Sequence, residues 1–193
     1  MSTKNTSGKS IISYDDGIAV AKIVSAAAKK KGGNVAVCGG LAMHIHGFTR
    51  ATKDVDVIAD MTLGFKEIKT LSFGGVACAI EIESGIIEVD FIIRTDEVKE
   101  LYEKALVFSR IHKTTGLKVV TPEYLVILKY LAGRGKDQID LLWMLREDNL
   151  VNRNKVKDIV TDQMGKHSYW ALRDLENLYL EADLLRARDQ RGK

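Results

Sequence analysis

Hydrophobic positions along this chain follow two spacings, and the change from one to the other divides it. Up to about residue 120, short apolar or alternating runs are interleaved with helical stretches; beyond Thr121-Pro122 every apolar run has helical spacing. In the first part the pattern predicts a helix from Asp15 to about Lys31, capped by Asp15 or Asp16, with three lysines near its end and Gly32-Gly33 as its stop. The continuous run Val35–Cys38 reads as a buried strand, and Gly39-Gly40 turns the chain into a helix over 41–47. Residues 54–59 alternate and read as a strand, and 63–72 fits a helix. Strands are predicted over 76–82 and 86–93, joined at Ser84-Gly85 as a hairpin. A helix over 97–106 and a strand over 106–111 follow. In the second part Pro122 suits a first helical turn with Thr121 as cap, and helices are predicted over 122–133, 136–147, 153–164 and 168–187. The expected class is α+β: a mixed β-sheet flanked by helices, followed by a C-terminal helical bundle. Residues 1–12 read as a disordered tail, 13–120 as the α/β core and 121–190 as a helical region packed on that core.

Composition changes this picture little. The chain has 193 residues, 46% hydrophobic and 28% charged, enough to bury a core without disulfides or structural metals. A net charge of +3 does not by itself argue nucleic-acid binding, and it leaves room for a local basic patch. The two cysteines, Cys38 and Cys78, lie in apolar runs and read as reduced core residues. The first ten residues are polar, and no apolar run approaches the ~20 residues of a membrane span, so a cytoplasmic protein with no membrane partner is expected. Gly8-Lys9-Ser10 is not the end of a phosphate-binding P-loop, because Thr3 stands where the first glycine belongs and no strand precedes it.

Candidate chemistry concentrates between Val35 and Asp90. A strand ending in Gly39-Gly40 and opening a helix lets backbone approach a ligand closely, and free N–H groups at the helix start suit phosphate. By itself this is also an ordinary strand-to-helix turn. Asp54 and Asp56 alternate onto one face of their strand, about 6.6 Å apart. Two neighbouring carboxylates repel, and a hard cation such as magnesium relieves that repulsion; a solvated strand edge is the plainer alternative. Asp90 sits in the apolar run IIEVDFII, where a charge is costly unless paired or metal-bound. If its strand lies beside 54–59, Asp90 completes a carboxylate cluster able to hold two magnesium ions for a phosphoryl transfer. Glu88 alternates onto the same face as Asp90 and reads as a rim residue.

The order Gly39-Gly40, helix, Arg50, Thr52, Asp54-x-Asp56, then a later strand aspartate, resembles the nucleotidyltransferase superfamily of DNA polymerase β. The form GG-L-A-x4-G-x2-R-x-T-x-D-V-D is most similar to its AbiEii-like branch of toxins and minimal nucleotidyltransferases. Thr121-Pro122-Glu123-Tyr124-Leu125, then Lys129, Arg134, Lys136-Asp137 and Asp140, resemble that branch's helical motif. The resemblance spans about residues 35–145. It implies a nucleotidyltransferase fold in which Asp54, Asp56 and Asp90 bind metal, Asp90 also helping to activate the attacking hydroxyl. It further implies that Gly39 and Gly40 cradle the phosphates of a nucleoside triphosphate, with Arg50, Thr52, Lys129 and Lys136 on the nucleotide side. Two features depart from the pattern: Gly40 stands where serine is common, and Arg134-Gly135-Lys136-Asp137 is shorter than the usual form.

Three functions fit these residues. One is a magnesium-dependent enzyme moving a nucleoside monophosphate onto RNA (tRNA included), a protein or a small molecule, among them the toxin of a toxin–antitoxin pair with an antitoxin protein as partner. Another is a glycosyltransferase that uses its D-x-D for a metal and a UDP-sugar, a reading that leaves the glycine pair and Asp90 unexplained. The last is a non-catalytic nucleotide- or partner-binding member of the same fold. Elsewhere, His44 and His46 stand two apart on a short helix and do not share a face for one metal, His46 reading as a helix-end cap. Trp143 and Trp170 read as core, and the basic C-terminal residues 186–193 as a solvated end.

Overall fold

The computed structural model describes residues 11–191, which fall into two compact units: a sheet unit (up to Lys99, and Ile111–Val119) and a helical unit (Glu100–Arg110, and Val120 onwards). The expected tail lies outside the described residues except at its end, where Ile12 is held by a backbone hydrogen bond to Thr52 (2.9 Å).

The sheet unit opens with α1, Tyr14–Lys31. Its cap is Ser13 rather than an aspartate: the Asp16 N–H donates to the Ser13 hydroxyl (3.0 Å), which donates to the Asp16 carboxylate (2.7 Å). This reciprocal arrangement leaves Asp15 and Asp16 in the first turn, where they favour the helix dipole. At the other end Gly32 takes a left-handed conformation (φ +73°) and closes the helix. Strand β1 (Val35–Cys38) leads directly into α2 (Gly39–Ile45), and β2 (Val55–Ala59) follows. His46 occupies the C-cap of α2, as its position at the helix end suggested.

Next come β3 (Lys66–Thr70), β4 (Gly75–Ile82), β5 (Gly85–Ile92) and the two-residue strands β6 (Arg110–Ile111) and β7 (Lys118–Val119). The seven strands form one sheet in the order β3-β4-β5-β2-β1-β7-β6. Pairing is mixed: β1–β2, β3–β4 and β4–β5 are antiparallel, while β2–β5 and β1–β7 are parallel. Val55, Val57, Val89 and Phe91 are each at most 1% exposed and form the apolar side of the central strands. The likeness to helix over 63–72 is overturned, because 66–70 is an edge strand. Its residues are all exposed, so burial gives them no periodicity to read, and pairing with β4 decides their conformation.

The helical unit holds most of α3 (Lys99–Val107), then α4 (Pro122–Ala132), α5 (Gly135–Arg146), α6 (Arg153–Gln163) and α7 (Ser168–Arg191). Thr121 occupies the N-cap of α4, but its side chain makes no capping bond. Trp143 is half-buried; Trp170, expected in the core, is 58% exposed, with the Arg173 guanidinium 5.7 Å from its ring centre. The unit's centre contains charge. Asp137 and Asp140, one helical turn apart on α5, are fully buried, and the Lys129 ammonium from α4 pairs with both. Arg134 adds two hydrogen bonds to Asp137, at 2.6 and 3.2 Å.

Burial pushes the Asp137 carboxyl up, but the Arg134 hydrogen bond and the Lys129 and Arg134 charges outweigh it and hold the group below its ordinary value of 3.8. A depressed carboxylate contributes stability that is present above its unfolded-state pKa and lost as pH falls through its folded one. Urea midpoints are therefore expected to fall steeply only below about pH 4. Lys129→Met, which removes the cation shared by two buried carboxylates, should lower the unfolding free energy at neutral pH by about 3–5 kcal/mol.

Candidate active site

Pairing fixes one row of residues across five strands. Cys38 stands opposite Asp56, Asp56 opposite Asp90, Asp90 opposite Ala77, and Ala77 opposite Lys69. Paired residues share a face of the sheet, so this side carries Asp56 and Asp90 on adjacent central strands, with backbones about 4.8 Å apart. Both are half-buried. Asp54 lies one residue before β2, in a bend fixed by Thr52, whose hydroxyl donates to the Asp54 carbonyl (3.0 Å). The Thr52 carbonyl in turn holds Ile12, so this approach to β2 is tied at both of its ends.

The glycine pair closes against the same place. Gly39 opens α2 with φ +57°, and a Cβ built there would lie 1.9 Å from Oδ2 of Asp56 and 2.5 Å from its Cγ. Only glycine fits: the backbone is left-handed, and the space belongs to the carboxylate. At Gly40 a Cβ would lie 2.7 Å from the Thr52 hydroxyl oxygen and 3.4 Å from Nη2 of Arg50. Gly39, Gly40, Arg50, Thr52 and Asp56 thus converge, with Asp90 beside Asp56 in register.

Lys129 and Lys136, expected on the nucleotide side, belong to the helical unit. The charge of Lys129 is met there by Asp137 and Asp140, and Lys136 is exposed in the first turn of α5. Glu88 lies on the Asp90 face and binds Lys69 (2.7 Å). Lys69 was not among the residues expected here, because 63–72 has helical spacing and the register shift between Glu67 and Lys69 that turns it to this face leaves no mark on local pattern.

The donor set at the convergence is carboxylate oxygen, the chemistry of a hard divalent cation, and the missing side chain at Gly39 is what gives the Asp56 carboxylate its place against the start of α2. Among the described residues no three His, Cys, Asp or Glu side chains form a group that could hold a metal ion; the acidic pair fixed by the backbone is Asp56–Asp90. Cys38 and Cys78 are buried thiols, not joined in a disulfide. Burial pushes the Cys78 thiol up, with the charges of Glu67 and Asp90 adding to the effect, so it stays protonated and is no nucleophile.

No family model matches this sequence, and no curated protein matches it. Among solved structures the chain is similar to an antigenic nucleotidyltransferase-like protein from Paracoccidioides brasiliensis, with a TM-score of 0.52 at 15% identity, covering 88% of this chain and 94% of that one. It also aligns with the solution structure of the antibiotic-resistance factor ANT(2'')-Ia at 12% identity and a TM-score of 0.43, covering 92% of this chain and all of that one. The first likeness shows the fold: this is an α+β chain of nucleotidyltransferase-like architecture. No helix is long and apolar enough to cross a membrane among the described residues.

The two glycines are expected to differ on substitution. Gly39→Ala places a methyl group on the Asp56 carboxylate and forces a left-handed alanine, and should cost about 1–3 kcal/mol in urea unfolding. Gly40→Ala, with no backbone strain and only the Thr52 side chain to displace, should cost less. A larger loss at Gly40 would contradict the cradle geometry.

Proposed function

We propose that this chain is a metal-dependent nucleotidyltransferase, moving a nucleoside monophosphate from a nucleoside triphosphate to an RNA, protein or small-molecule acceptor. The observation that carries this reading is the convergence of the Gly39-Gly40 cradle on Asp56, which stands in register with Asp90. The two glycines let the main chain lie close against Asp56 and Thr52, beside which the phosphates would sit. Arg50, beside Gly40, supplies a cation for the triphosphate and for charge developing in the transition state. Asp56 and Asp90, with Asp54 just before β2, are the residues that would hold magnesium, which when bound would neutralise phosphate charge and stabilise the charge that develops on the leaving group.

Asp90 accepts the proton of the attacking hydroxyl. The acceptor oxygen bonds to the α-phosphorus, the bond from that phosphorus to the bridging oxygen breaks, and pyrophosphate leaves with the electron pair. The half-buried setting of Asp56 and Asp90 strengthens these electrostatic effects relative to water.

Incubation with each α-labelled nucleoside triphosphate, magnesium and a cell extract tests the reading. Label should move to a macromolecular or small-molecule acceptor with the wild type, and about 100-fold or more slowly with Asp56→Asn. Equal transfer by both proteins, or no magnesium-dependent nucleotide binding by the wild type in calorimetry, would remove the assignment. Binding without transfer under every acceptor condition would favour the non-catalytic alternative.

A further inference from the structure

The edge strand of the sheet carries an irregularity that changes what its side chains face. On β3, Lys66 pairs with Ala79 and Glu67 with Cys78, but Lys69 pairs with Ala77 and Thr70 with Val76, so Ile68 is an extra residue in a bulge. In a regular strand, residues 66 and 69 point to opposite faces. The bulge puts both lysines on the face of Ala77 and Ala79, which pair with Asp90 and Glu88. From the carboxylate pair outward, this face therefore runs through two alanines, which project only methyl groups, to two lysines about two strand spacings from Asp90. Glu88 holds the Lys69 ammonium over that face at 2.7 Å while its side chain stays 49% exposed. Just past β3, Phe73 is 38% exposed, with the Arg94 guanidinium 5.7 Å from its ring centre.

We propose that β3 and the turn after it are the docking track for the phosphodiester backbone of a single-stranded nucleic acid, whose terminal hydroxyl is the acceptor delivered to Asp90. This rests on reading Asp56–Asp90 as the transfer centre. The cradle at Gly39-Gly40 takes the triphosphate on the β1 side of Asp56, so the acceptor approaches from the other side, over β5, β4 and β3. Positioned lysines meet backbone phosphates, and an exposed ring stacked with arginine meets a base, the combination by which proteins hold single strands. An acidic peptide adding to the edge as a further strand fits less well, because a short, lysine-bearing, bulged edge resists strand addition.

Fluorescence anisotropy of the full chain with labelled oligouridylate and oligothymidylate, both bearing free 3′ hydroxyls, tests the track. The wild type should bind, and the stronger of the two oligonucleotides tells RNA from DNA. The Lys66→Gln/Lys69→Gln double variant should bind at least about tenfold more weakly, with a log–log salt slope shallower by about 1.4. Lys66→Arg/Lys69→Arg should restore both, and magnesium-dependent nucleotide binding should be the same in all three. No oligonucleotide binding by the wild type, unchanged binding by the glutamine variant, or equal lysine-dependent binding of polyglutamate would overturn the proposal. Nucleotide transfer that needs Asp56 but whose oligonucleotide binding ignores the lysines would sink the track and leave the transferase; lysine-dependent oligonucleotide binding without nucleotide binding would do the reverse.

Discussion

Two carboxylates of like charge, Asp56 and Asp90, stand side by side on parallel strands at the middle of the sheet, and the rest of the sheet unit is arranged around keeping them there. Electrostatics alone would separate them. What holds them is register: Val55, Val57, Val89 and Phe91 alternate with the aspartates and are buried on the opposite face. A slip of one residue would expose that apolar set and bury the charges, so hydrophobic burial enforces the acidic pair. The parallel pairing of β2 with β5 is non-local, and β3 and β4 intervene in sequence, which is why a strand from residue 85 onward ends beside one from residue 55.

The glycine pair is the second half of the same constraint. Because β1 and β2 are antiparallel, Cys38 lies opposite Asp56, and the residue after Cys38 must pass the aspartate's side chain. Gly39 does this with a left-handed backbone and no side chain, and Gly40, in ordinary helical backbone, lacks only the side chain that would meet Thr52. One short connection thus starts α2 and brings its main chain close against a carboxylate.

The helical unit buries acid differently. Asp137 and Asp140 are as deeply buried as any residue in the chain, yet each is paired with Lys129, and Asp137 also with Arg134. Such a cluster is held by its own charges, and breaking it costs more than forming it gains. In the sheet unit the acids stand in register on neighbouring strands; in the helical unit they are gathered around cations. The first arrangement suits a bound cation and the second suits a fixed helix hairpin.

Most of the architecture was legible in the sequence. The helical periods after Pro122, the apolar run at Val35–Cys38, the alternation at 54–59 and the hairpin at 82–85 are each a local consequence of burial, and each element stands within a few residues of its expected place. The candidate site was legible as residue types: a glycine pair after a strand, a D-x-D, and an aspartate in an apolar run. Tertiary structure alone decided that β2 lies beside β5 with Asp56 against Asp90, since strand order leaves no mark on local periodicity. It also decided that Lys129 is enclosed by Asp137 and Asp140, that Trp170 is exposed, and that 66–70 is a bulged edge strand. The reason is the same throughout. Sequence pattern records which side of an element is buried, whereas the identity of the neighbour, and the conformation of a segment buried on neither side, are set by partners far away in the chain.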